Sequence, residues 1–369
     1  MPRFLTIFPF ASNVELIKDV GMIPYILNNK YNYDSTIASY KNGDYPYIFS
    51  EVNGLKQIFI KKRTKHSTID SLLFVFSNFS KFDVLQTYHL NRSSLLILFF
   101  FKLLKKITFS KSYTYLKLDA SDDIKRLDVS FLEVFFLKTI NLVSIETKGL
   151  YNFLNEKKNI KKKVEYIPNG FYDAENKETI DFNLKENLII TVGRIGAFEK
   201  NNETLLEAFK NFALKNKDWN LEVIGSIEKD FQNYIDSYFK DNPHLSNRVF
   251  FTGKITDREV LKQKYVKAKI FVLSSRIEGF PLVYLESIKA GCTIISSAIT
   301  PAFDITDNEK FGALFPIGDA KALEIELEKA ISNSAKLERD CLLIQQFAYE
   351  NFYWPKICAN IDFLIKNEM

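Results

Sequence analysis

Residues 270–291 read Ile270-Phe271-Val272-Leu273-Ser274-Ser275-Arg276-Ile277-Glu278-Gly279-Phe280-Pro281-Leu282-Val283-Tyr284-Leu285-Glu286-Ser287-Ile288-Lys289-Ala290-Gly291. The apolar run Ile270–Leu273 has the length and character of a buried strand, and a polar loop follows it. Pro281 suits the first turn of a helix, where its missing N–H costs nothing, and Gly291 suits the position just past the helix end. The stretch therefore predicts a strand, a loop and a helix over Leu282–Ala290. In open parallel sheets this is where ligands bind, at the carboxyl ends of the strands. N–H groups around Gly279 to Val283 would carry the positive end of the helix dipole, ready for phosphate or sugar oxygens. Glu278 precedes the helix and Glu286 lies inside it, eight residues on, so both can face one ligand from different ends. Carboxylates accept pairs of sugar hydroxyls. The alternatives are a helix-entry charge at Glu278 and a solvated helix face at Glu286. The apolar neighbours Leu282, Val283, Leu285 and Ile288 weigh against the second.

Working outward, short apolar runs alternate with amphipathic stretches along the whole chain, the pattern of parallel strands joined by crossover helices. In the second half, strands are expected at Leu188–Val192, Asn220–Ile224, Val249–Thr252, Ile270–Leu273 and Thr293–Ser296. Helices fall between them at Asn202–Lys215, Glu228–Phe239 and Asp257–Lys267. Asp319 reads as the N-cap of a helix to Ser332, followed by helices at Ala335–Tyr349 and Trp354–Asn367. In the first half, strands are expected at Phe4–Phe8, Ser35–Tyr40, Gln57–Ile60, Asp83–Tyr88, Thr114–Lys117, Leu142–Ile145 and Val164–Ile167. The helices there are Val14–Asn28, Ser67–Phe79, Ser93–Lys105, Phe131–Thr139 and Thr147–Asn155. A Lys-rich turn at Glu156–Lys163 reads as a solvated helix end. The charged, aperiodic stretch Tyr172–Asn187 reads as a linker, giving α/β domains over 1–178 and 179–353.

The chain has 369 residues, 46% hydrophobic and 26% charged, a globular composition with room for two domains. Its three cysteines, Cys292, Cys341 and Cys358, are odd in number and lack zinc-ligand spacing, which fits a reducing compartment. The N-terminus lacks a signal-peptide pattern, and the longest apolar run, Leu95–Leu104, contains Lys102 and is too short to span a bilayer. A cytoplasmic protein is expected. Residues 1–180 hold 26 Lys+Arg against 18 Asp+Glu, a net +8, and residues 181–369 hold 24 against 27, a net −3. The basic half offers a face for anionic lipid headgroups or for a phosphate-bearing acceptor, with ordinary solvated surface as the alternative.

A second constellation follows the strand Leu188–Val192. Gly193 allows a sharp turn, and Arg194 and Lys200 place two positive charges where a diphosphate leaving group would lie. Alternatively, Arg194 pairs with a local carboxylate such as Glu199 or Glu203. Together, Gly193-Arg194, Lys200, Glu278-Gly279-Phe280-Pro281 and Glu286 resemble the retaining GT-B glycosyltransferases of family four. Weaker matches run through Val143–Thr147, Val164–Gly170, Val249–Gly253 and Gly312–Asp319.

This resemblance implies a GT-B fold: two Rossmann-like doubly wound domains facing across a cleft, with the last helix, 354–369, crossing back to the first. It implies a sugar-nucleotide donor, UDP rather than GDP, with Arg194 and Lys200 on the diphosphate and Glu286 on the ribose. Glu278, Gly279, Phe280 and Pro281 would hold the sugar, and Gly253, Lys254 and Ile255 the base. No cofactor or metal is implied: no Asp-x-Asp motif ends a strand, and Asp122-Asp123 lies in a polar stretch. The expected partners are a nucleotide sugar and a glycan or lipid-linked acceptor, not nucleic acid.

The first half departs from the family pattern. Phe8-Pro9-Phe10-Ala11-Ser12-Asn13 stands where the family has a Gly-Gly loop, and Gly21 and Pro24 are expected to kink the following helix or to wall an acceptor site. Where the family places a histidine after a central strand, this chain has Asp119, a candidate to accept the acceptor's proton or bind a sugar hydroxyl, or else an N-cap. His89 is a second candidate. Rival readings are a GT-B-shaped epimerase or phosphorylase, and a non-catalytic partner subunit.

Overall fold

The computed structural model describes residues 1–126, 130–157, 162–173 and 179–369. The Lys-rich turn at Glu156–Lys163 and the front of the expected linker fall partly outside these residues. The chain forms two compact units, Met1–Tyr172 with Phe352–Met369, and Asp173–Asn351.

In the first unit the strands are β1 (Arg3–Ile7), β2 (Asp34–Ser39), β3 (Lys56–Phe59), β4 (Val84–Tyr88), β5 (Tyr113–Lys117), β6 (Leu142–Ile145) and β7 (Glu165–Tyr166). They form one parallel sheet in the order β3-β2-β1-β4-β5-β6-β7. Its helices are α1 (Asp19–Lys30), α2 (Tyr47–Ser50), α3 (Ser67–Asn78), α4 (Arg92–Ile107), α5 (Phe131–Thr139) and α6 (Lys148–Glu156). The order reverses between β1 and β4, so the loops after these strands diverge and leave a crevice at their carboxyl ends.

The second unit holds β8 (Glu186–Val192), β9 (Asn220–Ile224), β10 (Val249–Gly253), β11 (Ala268–Leu273), β12 (Thr293–Ser297) and β13 (Gly312–Phe315). The order is β10-β9-β8-β11-β12-β13, all parallel, with the reversal between β8 and β11. Its helices are α7 (Asn202–Lys215), α8 (Gln232–Asp241), α9 (Arg258–Lys267), α10 (Leu282–Lys289), α11 (Thr300–Ile305), α12 (Ala320–Ser332) and α13 (Ser334–Asn351). The last helix, α14 (Trp354–Glu368), belongs to the first unit. Trp354, Ile357, Ile361 and Ile365 recur at helical spacing and are buried against Ile23, Ile26 and Tyr33. Backbone bonds from Phe171 N to Phe352 O and from Trp354 N to Phe171 O fix its entry.

Three expectations need correction. The helix expected over Val14–Asn28 is two elements, a 3₁₀ turn at Asn13–Ile17 and then α1, broken at Lys18, whose backbone is extended. Gly21 does not make that break. It lets α1 pass the preceding turn, since a Cβ there would lie 2.2 Å from the Leu16 carbonyl oxygen. The stretch read as linker is anchored at two points: Ile180 is buried, and Lys185 Nζ donates to the carbonyls of Ala268 (2.7 Å) and Val266 (3.1 Å). The charged residues suggested solvent, but Lys185 satisfies its ammonium on backbone oxygens at the sheet's lower edge. Finally, β13 is a sixth strand, short and opened by Gly312, which the apolar-run reading passed over.

Candidate active site

In the second unit, the two strands flanking the topological reversal, β8 and β11, run side by side, with Ile190 opposite Phe271. Their carboxyl-end loops are tied together. Ser274 Oγ donates to the Lys200 carbonyl (3.1 Å), Arg276 N donates to the Glu199 carbonyl (2.7 Å), and Arg276 Nη2 donates to Asn201 Oδ1 (2.6 Å). Asn201, at φ +49°, makes the turn into α7. These bonds bring two residues 78 positions apart into contact: Lys200 Nζ lies 2.5 Å from Glu278 Oε1, with both side chains largely shielded from solvent. Ser275 Oγ donates to the same oxygen at 2.7 Å. Glu278 Oε1 is thus occupied from two sides.

Arg194 leaves the same strand end as Lys200 but is exposed. It pairs with Glu199 and stands 3.8 Å from Glu228 on the loop after β9. The sequence offered Glu199 or Glu203 as partners; Glu228 is brought there by β8–β9 pairing. Gly225 after β9 accommodates this crowding: at φ +148° it lets the Gly193 carbonyl approach where a Cβ would lie only 1.6 Å from the oxygen. Gly225 N also donates to the Gly253 carbonyl (2.9 Å), so the loops after β8, β9 and β10 are stacked. Gly253 closes β10 at φ +75°, and Lys254 and Ile255 continue from it on the same edge of the sheet.

Pro281 takes the cap position of α10 and supplies no side-chain acceptor, so no cap side chain occupies the first-turn N–H groups of that helix. Gly279 and Phe280 form the approach to it, with the Phe280 ring buried. One turn into α10, Glu286 Oε2 accepts a hydrogen bond from the Tyr265 hydroxyl of α9 (2.9 Å). Burial raises the Glu286 carboxyl above its ordinary range, opposed by the Tyr265 hydrogen bond and the charge of Arg258.

In the first unit, Asp119 follows β5 with φ +41°, and its carbonyl meets His89 Nδ1 at 3.3 Å. The helical turn Asp122–Arg126 begins beyond Ser121, so Asp119 does not cap it. Beneath this loop lies a buried charge cluster that the sequence reading missed. Lys117 Nζ is 3.5 Å from Asp19 Oδ2 on α1 and 3.9 Å from Glu146 Oε2 at the end of β6, and Glu146 Oε1 accepts from Ala120 N (2.6 Å). The signal was present as a lysine and a glutamate inside apolar strand ends, Tyr115-Leu116-Lys117-Leu118 and Val143-Ser144-Ile145-Glu146. Desolvation outweighs the attraction of Lys117 and raises Asp19 to about 6 and Glu146 to about 8, each helped by the nearby charge of Asp119. One ammonium cannot neutralise all these carboxylates, so Glu146 keeps its proton near neutral pH.

Two strand-end loops locked at the reversal, a lysine–carboxylate pair between them and an uncapped helix start are what a diphosphate-bearing ligand needs. Residues 173–342 match the family described as glycosyl transferases group 1. This segment is a glycosyl transferases group 1 domain. The capsular polysaccharide biosynthesis glycosyltransferase CapM of Staphylococcus aureus is 29% identical over 166 residues, 42% of this chain and 40% of CapM. An alpha-1,4-N-acetyl-D-galactosaminyltransferase of Campylobacter jejuni, named for an undecaprenol-diphosphate-linked acceptor, is 30% identical over 187 residues, 48% of this chain and 49% of that protein. The matches thus span less than half the length of these relatives. Among solved structures, Anabaena HepE in complex with UDP and glucose superposes over 100% of both chains with a TM-score of 0.72 at 13% identity. That likeness establishes the GT-B fold for a chain whose group 1 domain is its second unit.

Proposed function

We propose that the protein is a retaining glycosyltransferase that moves a sugar from a nucleotide-diphosphate donor, UDP-linked rather than GDP-linked, to a hydroxyl of a glycan or lipid-linked saccharide, in surface polysaccharide or glycoconjugate synthesis. The contact of Lys200 with Glu278 at the β8/β11 reversal carries the reading. It sets a cation for the departing diphosphate beside a carboxylate for the sugar hydroxyls, next to the N-terminus of α10. Arg194 adds a second positive charge once the diphosphate displaces its pairing with Glu199. With these two side chains and the helix dipole stabilising the leaving group, no metal is needed for that step. Glu286, oriented by Tyr265, takes the ribose hydroxyls, and the backbone from Gly253 to Ile255 takes the base. Attack from the leaving-group side, without a covalent glycosyl–enzyme intermediate, is the route to a retained anomer. HepE's complex with UDP and glucose and the polysaccharide roles in the relatives' names support the donor and acceptor classes. Asp119 is assigned to the acceptor side.

The test is release of free UDP from a panel of UDP-sugars, with NMR of the product's anomeric configuration. Slow donor hydrolysis and an unchanged anomer are expected, while an inverted product would refute retention. Asp119→Asn is expected to slow transfer without weakening UDP binding. Equal loss of both would remove Asp119 from the acceptor side.

A further inference from the structure

The helical layer α3–α4–α5 on one face of the first sheet already uses its inner side: Val75, Leu95, Leu98, Phe101 and Leu137 are buried in the core. Each helix carries a second apolar stripe, turned to solvent. On α3 it is Ile69, Leu73 and Phe76, spaced as one helical face, and on α4 it is Leu96, Leu103 and Ile107. On α5, Phe131 is 85% and Phe135 50% exposed. The stripes adjoin. Phe99 of α4 packs on Phe136 of α5 with ring centroids 5.0 Å apart and on Phe135 at 6.2 Å, and Thr68 and Ser93 hydroxyls 2.5 Å apart hold α3 to α4. Past α4, Phe109 sits in a turn at φ +50° and is 98% exposed. So much contiguous exposed apolar surface marks an interaction site.

The charge around it is one-sided. From Lys61 to Lys111 the chain has ten Lys and Arg and two carboxylates. Neither carboxylate offsets the surface. Asp70 is buried, accepting from the Tyr40 hydroxyl and the Arg63 and Thr64 amides, and Asp83 is bound by Arg3 (2.6 Å) and Lys105 (3.7 Å). At the helix ends Arg92, Lys106 and Lys138 are exposed. On α5, Glu133 is engaged by Ser130 and stands 3.5 Å from Arg92.

We propose that the α3–α4–α5 face docks on an anionic lipid surface, with Phe76, Phe131, Phe135 and Phe109 entering the headgroup–acyl boundary and Arg92, Lys106 and Lys138 among the lipid phosphates. Aromatic and aliphatic side chains bordered by cations, with Glu133 already engaged by Ser130 and Arg92, match that boundary. A second copy of the chain is a poor occupant, because it would set two basic faces against each other. Among the described residues no helix is long and apolar enough to cross a membrane, so the contact would be along the surface. The inference stands independently of the transfer reaction.

The experiment is co-sedimentation of the full chain with mixed phosphatidylcholine–phosphatidylglycerol vesicles and with phosphatidylcholine alone, at low and raised salt. The expected result is partitioning onto the mixed vesicles that salt weakens. A Leu103→Ser, Phe131→Ser, Phe135→Ser variant should lower the partition coefficient by roughly tenfold or more. Phe109→Ser, at a side chain too exposed to affect folding, should lower it in the same direction. Failure of the folded wild type to bind mixed vesicles, or equal binding by the apolar variants, overturns the proposal. So does a dimer in sedimentation velocity that the triple variant abolishes, which would assign the face to a second copy.

Discussion

Replacing Lys200 with alanine is expected to cut turnover by about 10²–10³-fold, the usual cost of removing one preorganised charge from a departing oxyanion. The loss should fall mainly on kcat, because charge develops on the diphosphate as the sugar leaves. The ammonium is held in place before the donor arrives, 2.5 Å from Glu278 Oε1, by loops that Ser274, Asn201 and Arg276 tie together. Truncation also leaves the shielded Glu278 carboxylate with the Ser275 hydroxyl but without its cation, which should lower stability by about 1–3 kcal/mol. Arginine at 200 keeps the charge but cannot keep the geometry, so partial recovery is expected. Arg194→Ala should cost less, since Arg194 is exposed and shares its charge with Glu199 and Glu228. Unchanged steady-state kinetics in Lys200→Ala would remove this lysine from the site.

Lys117→Met should be the most destabilising single change in the first unit. It leaves the Asp19 carboxylate buried without its cation, and breaking a buried pair in this way costs about 3–5 kcal/mol. A second substitution, Asp19→Asn, should recover part of the loss, and a double-mutant cycle from urea titrations reads the coupling. The cluster also sets a pH dependence. The carboxyls of Asp19 and Glu146 are raised in the folded protein, from 3.8 to about 6 and from 4.5 to about 8, so the folded state binds more protons than the unfolded one across that interval. Stability is therefore fully present below the unfolded values and is lost as pH rises through the folded ones. Glu146→Gln, which keeps an acceptor for Ala120 N, should flatten the alkaline end of that decline in melting temperature. Identical pH profiles for wild type and variant would show that Glu146 is ionised throughout.

The candidate site of the second unit was legible because its signals are local. A strand-length apolar run, Pro281 at the helix entry and a loop between them place Glu278 and the start of α10 within one short segment. The alternation of parallel strands and helices was legible for the same reason, as was the helix at Trp354–Asn367, whereas the GT-B arrangement came from the family resemblance. What stayed hidden depends on partners from distant segments. Nothing near Lys117 in sequence announces Asp19 or Glu146, which only the order β1-β4-β5-β6 and the entry to α1 bring beneath one loop. The Tyr265–Glu286 bond and the Arg194–Glu228 approach are of the same kind. Lys185 shows the converse error, a charged residue read as linker that closes on backbone carbonyls.

The central claim is that the second unit holds a nucleoside diphosphate, and a thermal-shift panel of UDP, GDP, ADP and TDP tests it most directly. Binding to the folded state alone raises the melting temperature by mass action, by about 2.7 kcal/mol of added stability at a ligand concentration one hundred times Kd. UDP should give the largest shift, and Lys200→Ala should diminish it. No shift with any of the four nucleotides would contradict the account.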